Sequence, residues 1–303
     1  MSNLSPRFIP APPRAIALVT LAYVIAGALA WATLRATPTL HPLLALFLAD
    51  TVATVVVFAF SRAFDNSSFY DPYWSVAPMV FALGLPFSGL PGVAALGPRQ
   101  VLMAAVTSAW GLRLTYNWLR GWEGLTHEDW RYVAFRKQFP RGYWPFSFLA
   151  IHFFPTVCTF ASSLPMWPVA TSSAPLGWLD ALGVAVALGA TVIEGVADAQ
   201  LRAYRKDCEA KGVRGAICEV GLWSWSRHPN YFGECTFWLG VWILGVGAST
   251  ADAAWTSVGP LGIFALFVFG TIPLAEKRSL ERRPAFAEHQ RRVSMLIPWP
   301  PKK

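Results

Sequence analysis

Charge is scarce in this chain of 303 residues. Asp, Glu, Lys and Arg together make up 14%, where a soluble domain carries about 25%. Hydrophobic residues reach 54% and the mean hydropathy is +0.41, which excludes a large soluble fold and points to a polytopic membrane protein. Acids are the scarcer sign, 17 against 25 Lys and Arg, a formal net charge of +8. With no soluble basic domain, that surplus suits membrane lipids or an anionic cofactor and argues against nucleic acid. Cysteine is limited to positions 158, 208, 218 and 235 with no CxxC pair, so neither a disulfide framework nor a metal site is expected. Five scattered histidines (41, 127, 152, 228, 289) are too few for a His-box di-iron site. There is no Walker A loop, no GxGxxG after a strand and no nucleophile elbow. No cleavable signal peptide is evident, because a Pro-rich lead runs straight into a span-length segment. No repeat or low-complexity tract divides the chain, which reads as a single integral membrane domain, 1–303.

What is abundant is apolar length. Segments long enough to cross a bilayer read at 15–34, 43–61, 73–90, 100–119, 145–168, 176–197, 230–249 and 256–275. The third is the weakest, broken by Pro78, Gly84 and Pro86. The expectation is an all-α bundle of seven or eight transmembrane helices. Lys and Arg crowd the loops after the fourth and sixth segments and the residues from Lys277 to Lys303, and the loops at 169–175 and 250–255 have none. By the positive-inside rule these basic regions face the cytosol together, with the N-terminal Arg7 and Arg14 on the same side.

The densest chemistry lies in 221–234, GLWSWSRHPNYFGE. Arg227, His228, Asn230, Tyr231 and Glu234 fall within eight residues, with Trp223 just before them. Pro229 suits a first helical turn, so a helix from about Tyr231 to Gly247 carries Glu234 one turn into an apolar segment. A carboxylate there costs about 2.5 kcal/mol or more on insertion scales and marks a functional site by default. Helix N-termini favour anions, and Arg227 and His228 precede this one. The competing reading is an interfacial anchor, since Arg, His, Trp and Tyr gather at headgroup level. The motifs from 198 to 303 hold most of the candidate cofactor contacts.

Three further constellations stand out. The stretch 65–75, DNSSFYDPYWS, carries a hydrogen-bonding side chain at every position but Phe69 and Pro72. That is more than an interfacial turn needs, and it makes Asp71 and Tyr73 candidates, with Asp50 inside the preceding apolar segment as a paired acid or part of a proton path. Arg113, Asn117 and Arg120, beside Tyr116, share one helix face by their spacing. Glu194, Asp198, Arg202 and Arg205 form a polar stripe that runs from acids to bases along one helix, partly as salt bridges. Such a stripe suits a ligand with hydroxyls or amides at one end and phosphates at the other. The segment 128–139 (EDWRYVAFRKQF) reads as a short interfacial helix. A transporter would show paired interrupted half-helices, and here the polar groups collect on one side only.

The combination GLWSWSRHPNYFGE, with IEGVADAQLRAYRKD before it and LAEKR and LIPWPP after it, resembles the steroid 5-alpha-reductase family. DPYWS and the GxxxEDWRY element at Gly124–Tyr132 are similar to the bacterial DUF1295 branch. The resemblance runs from about Asp50 to Pro301. It implies a bacterial inner-membrane protein that binds NADPH from the cytosol and reduces an activated C=C bond in a lipophilic, steroid-like or other lipid substrate. It further implies cofactor contacts at Asn230 and Glu234, the family acid at Asp198 and a phosphate-facing arginine at Arg205. The position of the family's catalytic tyrosine is Trp110 here, so the proton donor is expected at Asp71 or Tyr73, with Tyr116 and Asp50 in reserve. A SAM-dependent membrane methyltransferase of the isoprenylcysteine type, which shares the RHPNY core, and a non-enzymatic lipid-binding protein remain alternatives.

Overall fold

The computed structural model describes residues 12–213 and 215–302; Arg7, Arg214 and Lys303 lie outside them. Every regular element among the described residues is helical. The chain forms two compact units, Met1–Ala174 and Pro175–Lys303.

Unit 1 contains α1 (Pro13–Ala36), α2 (Pro42–Ala63), α3 (Tyr73–Gly84), α4 (Pro98–Gly121), α5 (Trp130–Gln138), α6 (Tyr143–Ser163) and α7 (Met166–Thr171). Unit 2 contains α8 (Trp178–Ala210), α9 (Pro229–Ala248), α10 (Thr250–Arg282) and α11 (Phe286–Arg292). Proline opens α1, α2, α4 and α9, where its missing N–H costs nothing and its φ is already helical. Asp129 starts α5 by accepting from the Arg131 N–H at 2.8 Å.

Two helices contain a π-helical segment, Phe148–Phe153 in α6 and Leu266–Thr271 in α10. Each precedes a proline, Pro155 and Pro273. The ring clashes with the carbonyl four residues back and removes one ladder bond, and the wider turn absorbs both.

Five helices are long and apolar enough to cross a membrane: α1, α2, α6, α8 and α10. The eight expected spans are corrected at the third, because α3 has only 12 residues. At 1.5 Å per residue that is about 18 Å, against a hydrocarbon core of about 30 Å. The helices α4 and α9 are long, with 24 and 20 residues. Arg99, Gln100, Arg113, Asn117 and Arg120 in α4, and Asn230 and Glu234 in α9, dilute their apolar content.

Small residues decide how α8 and α9 pack. A Cβ on Gly240 would lie 2.6 Å from the Ala187 nitrogen, and one on Gly183 would lie 2.9 Å from the Gly240 carbonyl. Such small residues let backbones touch, and the closeness brings Glu194 of α8 against Gly233 of α9.

Candidate functional site

In unit 1 the stretch 65–75 folds back among the helices. Asp65 adopts a positive φ of 50°, a conformation that Asp tolerates better than most residues. Asn66 accepts from Ser68 N at 2.8 Å and donates to the Leu125 and His127 carbonyls at 2.8 and 2.9 Å. The Ser67 hydroxyl lies 2.6 Å from Tyr143 Oη and 3.0 Å from Ser147 Oγ, and its N–H donates to Glu128 at 2.7 Å. Arg136 in turn holds Glu128 at 2.7 Å and Asp65 at 2.9 Å.

Beyond this network lie two phenol–carboxylate pairs. Tyr132 donates to Asp71 Oδ1 at 2.7 Å. Tyr73 donates to Asp50 Oδ1 at 2.5 Å, with the Asp50 carbonyl 3.0 Å away. Asp71 and Tyr73 therefore serve different partners. Tyr70 stacks on Tyr73 with ring centroids 4.8 Å apart and meets Thr156 Oγ1 at 2.6 Å. Burial pushes the Asp71 carboxyl up to about 6; the Tyr132 hydrogen bond opposes this, the Asp129 charge adds to it, and Arg131 counters. Burial first, then the Asp71 charge, raises the Tyr132 phenol well above its ordinary value, so it stays a donor at neutral pH.

The α4 candidates lie apart from these pairs in character. Tyr116 is 59% exposed and is covered by the Arg120 guanidinium at 5.4 Å. Arg113 and Asn117 are half-buried. Trp110, at the position of the family's tyrosine, is fully buried and has no exposed polar edge to offer.

In unit 2 the segment from Gly221 is fastened at both ends. Gly221 has φ +58°, and a Cβ there would strike the Gln200 side chain; Gln200 accepts from Leu222 N at 2.9 Å. Trp223 donates its indole N–H to the Ala197 carbonyl at 2.8 Å. Ser226 pairs with Ser294 as an isolated bridge and donates its hydroxyl to the Leu296 carbonyl at 2.7 Å. The Trp299 N–H donates to the Trp225 carbonyl at 3.0 Å.

Arg227 is spent within the chain. It donates to both Glu276 oxygens (2.6 and 3.3 Å) and to the Gln290 and Val293 carbonyls (3.0 and 2.5 Å). His228 Nε2 lies 3.1 Å from the same Glu276, and its ring stacks on Tyr231 at 5.2 Å. These two candidates hold the loop together. Glu234 accepts from the Trp238 indole at 2.9 Å. Glu194 and Glu234 are both buried. Asn230 presents a buried Oδ1 with no hydrogen-bond partner among the described residues. Asp198 and Arg202 are half-buried and Arg205 is exposed along the outward face of α8. Arg283 has its pKa lowered by burial and by the charges of Arg205 and Arg282, so three guanidiniums share one neighbourhood.

Sequence reasoning passes over Tyr132, Glu276, Gln290 and Arg283 as site-forming residues. Tyr132 lies within the EDWRY element, whose pattern reads as an interfacial helix. Nothing in the spacing links Glu276 to Arg227, 49 residues earlier.

The chain matches the family described as protein of unknown function (DUF1295) over residues 57–293. It is 29% identical over 252 residues to "Uncharacterized protein C594.04c" of Schizosaccharomyces pombe (strain 972 / ATCC 24843), covering 77% of this chain and 73% of that protein. This relative is eukaryotic, so the similarity does not assign the chain to a bacterial inner membrane. No solved structure matches the chain. The matched region includes the Tyr132–Asp71 pair, Tyr73, the α8 stripe and the Arg227–Glu276 clasp, and the chain belongs to the DUF1295 family.

Proposed function

We propose that this protein is a membrane-embedded reductase that uses NADPH to reduce an activated C=C bond in a lipophilic substrate. The observation that carries the reading is the Tyr73–Asp50 pair: a phenol 4% exposed, hydrogen-bonded at 2.5 Å to a carboxylate 3% exposed. A carboxylate inside a span-length helix is costly unless it is used or paired.

Reduction of a conjugated C=C builds negative charge on the substrate's carbonyl oxygen. A neutral phenol aimed at that oxygen stabilises the transition state more than the ground state. Asp50 accepts the Tyr73 proton in the resting protein, so the phenol would turn that proton to the substrate oxygen on binding; Asp71, whose carboxyl is pushed up to about 6 by burial, would be the second proton source, in the range where general acids work best. The residues of unit 2 fit the cofactor. Asn230 Oδ1 lacks a donor and suits a carboxamide or ribose hydroxyl. Asp198 and Glu194 suit the sugar and amide end, and Arg202, Arg205 and Arg283 suit phosphates. NADPH held by these residues would supply a hydride, and Asn230, Asp198 and the guanidiniums of unit 2 would bind and orient it. The guanidinium cluster favours NADPH over SAM, whose carboxylate needs one arginine. The active site is proposed to open to the cytosol, on the side where Lys and Arg concentrate.

The test is a titration of the purified protein with NADPH, NADH and SAM. Saturable NADPH binding, tighter than NADH, supports the reading. Saturable SAM binding without NADPH binding transfers it to methyl transfer, and binding of none leaves a lipid-binding protein.

A further inference from the structure

The far end of α8 carries a pair of thiols. This helix has 33 residues, about 50 Å at 1.5 Å per residue, against a hydrocarbon core of about 30 Å. Its polar end, from Asp198 to Ala210, therefore stands outside the apolar layer. Cys208 lies there. The chain then turns back on the helix. The Val213 N–H donates to the Cys208 carbonyl at 2.8 Å, and Gly212 and Gly215 take φ of +65° and +73°, values that glycine adopts without strain. Tyr204, one turn before Cys208, donates its hydroxyl to the Ile217 carbonyl at 2.7 Å, and the same phenol is within hydrogen-bond reach of the Cys208 sulfur. Ile217 is bonded to Cys218, so the two cysteines flank one phenol.

Both sulfurs are free thiols, and their settings differ. Cys208 is half-buried, with Arg205, Lys206 and Lys211 within one turn of it in sequence and exposed. A partly exposed thiol in basic surroundings is the kind that oxidants reach. Cys218 is 7% exposed. Burial pushes its thiol up, a backbone hydrogen bond and the Arg205 guanidinium draw it down, and the charge of Cys208 raises it again. The two sulfurs are therefore within electrostatic range of each other. The remaining cysteines lie elsewhere, Cys158 inside α6 and Cys235 inside α9.

We propose that Cys208 and Cys218 are a peroxide-sensitive pair that closes into a reversible disulfide, a modification site beside the arginines of the α8 stripe. Cys208, the more accessible, acts first. Its thiolate attacks a peroxide oxygen: the S–O bond forms, the O–O bond breaks, and the departing hydroxide takes up the proton that Cys208 shed. The Cys218 sulfur then attacks the sulfenic acid. The S–S bond forms, the S–O bond breaks, and the leaving hydroxyl departs as water with the Cys218 proton. Two thiols and one peroxide give one disulfide and two waters. Sulfur is oxidised and peroxide reduced. The two glycines of the turn let the Cα atoms reach the separation of about 4.4–6.8 Å that the bond requires. Arg283 donates to the Ala216 carbonyl at 3.2 Å and Arg205 precedes Cys208 by one turn, so both guanidiniums are tied to the segment that the bond draws in. In a reducing compartment such a bond is transient and reports oxidant. The inference goes beyond the reductase reading and does not rest on it.

The experiment treats the full chain in lipid nanodiscs with hydrogen peroxide, quenches with N-ethylmaleimide and maps the peptides by mass spectrometry. A peptide joining Cys208 to Cys218 within one chain is expected to accumulate and to disappear on treatment with reduced thioredoxin. Cys158 and Cys235 are expected to stay alkylated as in the untreated protein. Cys218→Ser is expected to stop at the sulfenic acid of Cys208, read as a dimedone adduct that the wild type lacks, and Cys208→Ser is expected to leave Cys218 reduced. Phenylarsine oxide bridges two close thiols without any oxidant. It is expected to shield both cysteines from alkylation in the wild type and to shield neither remaining cysteine in the single variants. Peroxide that leaves both thiols unchanged, sulfenic acid on wild-type Cys208 with no linked peptide, a link only between molecules, or Cys208→Ser that still oxidises at Cys218 overturns the proposal. Should a serine variant fail to fold, the wild-type peptide map and the arsenical decide alone.

Discussion

Arg227 and Glu276 form a bidentate pair, Nε to Oε1 at 2.6 Å and Nη2 to Oε2 at 3.3 Å, with side chains 9% and 11% exposed. The motif arginine at the head of α9 is therefore a clasp on α10, and His228 and Gln290 complete the ring around the same carboxylate. Removing one partner of a buried pair leaves a charge with nothing opposite. Glu276→Ala is expected to lower stability by about 3–5 kcal/mol, read as a shift in the unfolding midpoint. Arg227→Lys, with Glu276 in place, should also lower the midpoint, because an ammonium cannot match the fork. If Arg227→Ala instead weakens only anion binding and leaves the midpoint unchanged, the clasp has no structural role.

Asp71 makes stability depend on pH in the direction opposite to most acids. Its carboxyl is pushed up to about 6 by burial, above the roughly 3.9 of an unfolded Asp. The folded state thus binds the proton more tightly, so its contribution is fully present below about pH 4 and is lost as pH rises through about 6. Asp71→Asn cannot ionise. The midpoint difference between this variant and the wild type should move in the variant's favour from pH 4 to pH 6 and stay level above that. A difference independent of pH across this window would refute the assignment. Tyr132→Phe removes the bond that opposes the rise and should move the transition to higher pH.

The α8–α9 contact tolerates no added carbon at Gly240, where a Cβ would sit 2.6 Å from backbone. Gly240→Ala is expected to cost about 1–3 kcal/mol by overpacking. Gly189, on the same α8 with nothing within 4 Å of its Cβ position, is the control. Gly189→Ala should be neutral or stabilising by about 0.5–1 kcal/mol, as for any helix-interior glycine. Thermal unfolding of both variants in one detergent makes the comparison.

Cofactor discrimination should reside outside the clasp. On the proposed reading, Arg205→Ala and Arg283→Ala each reduce NADPH affinity by about tenfold, the loss of a charge-assisted contact, and leave NADH affinity nearly unchanged. A variant that loses both equally would assign its arginine to the shared diphosphate or to the fold.

Much of the helical frame is legible in the residues. Prolines mark the starts of α1, α2, α4 and α9, and the stripe Glu194, Asp198, Arg202, Arg205 does lie on one long helix that runs to Ala210. The short helix within 128–139 is α5, and Asn66 caps a turn. Hydropathy misleads at 73–90, because an apolar run shows composition, while the length of helix depends on where Pro86 and Gly84 stop it. The candidate site is harder to read. Asp71 and Tyr73 are two residues apart, which suggests a pair, yet their partners Tyr132 and Asp50 lie 61 and 23 residues away. Arg227 looks like a free cation because its four acceptors lie 49 to 66 residues ahead. Local spacing reports which residues share a face. It carries no signal for a contact made by folding distant segments together.

The bridge from Ser226 to Ser294 and the bond from Trp299 to Trp225 have a consequence for biogenesis. The loop at the head of α9 cannot close until a segment some 70 residues later has been made. At a synthesis rate of about 5–20 residues per second, that interval is about 4–15 s. During it α9 is already made, while Arg227 and the Ser226 backbone wait without their partners. The head of α9 therefore matures late in unit 2, and a nascent chain arrested within that window presents a complete α9 with an unfinished head.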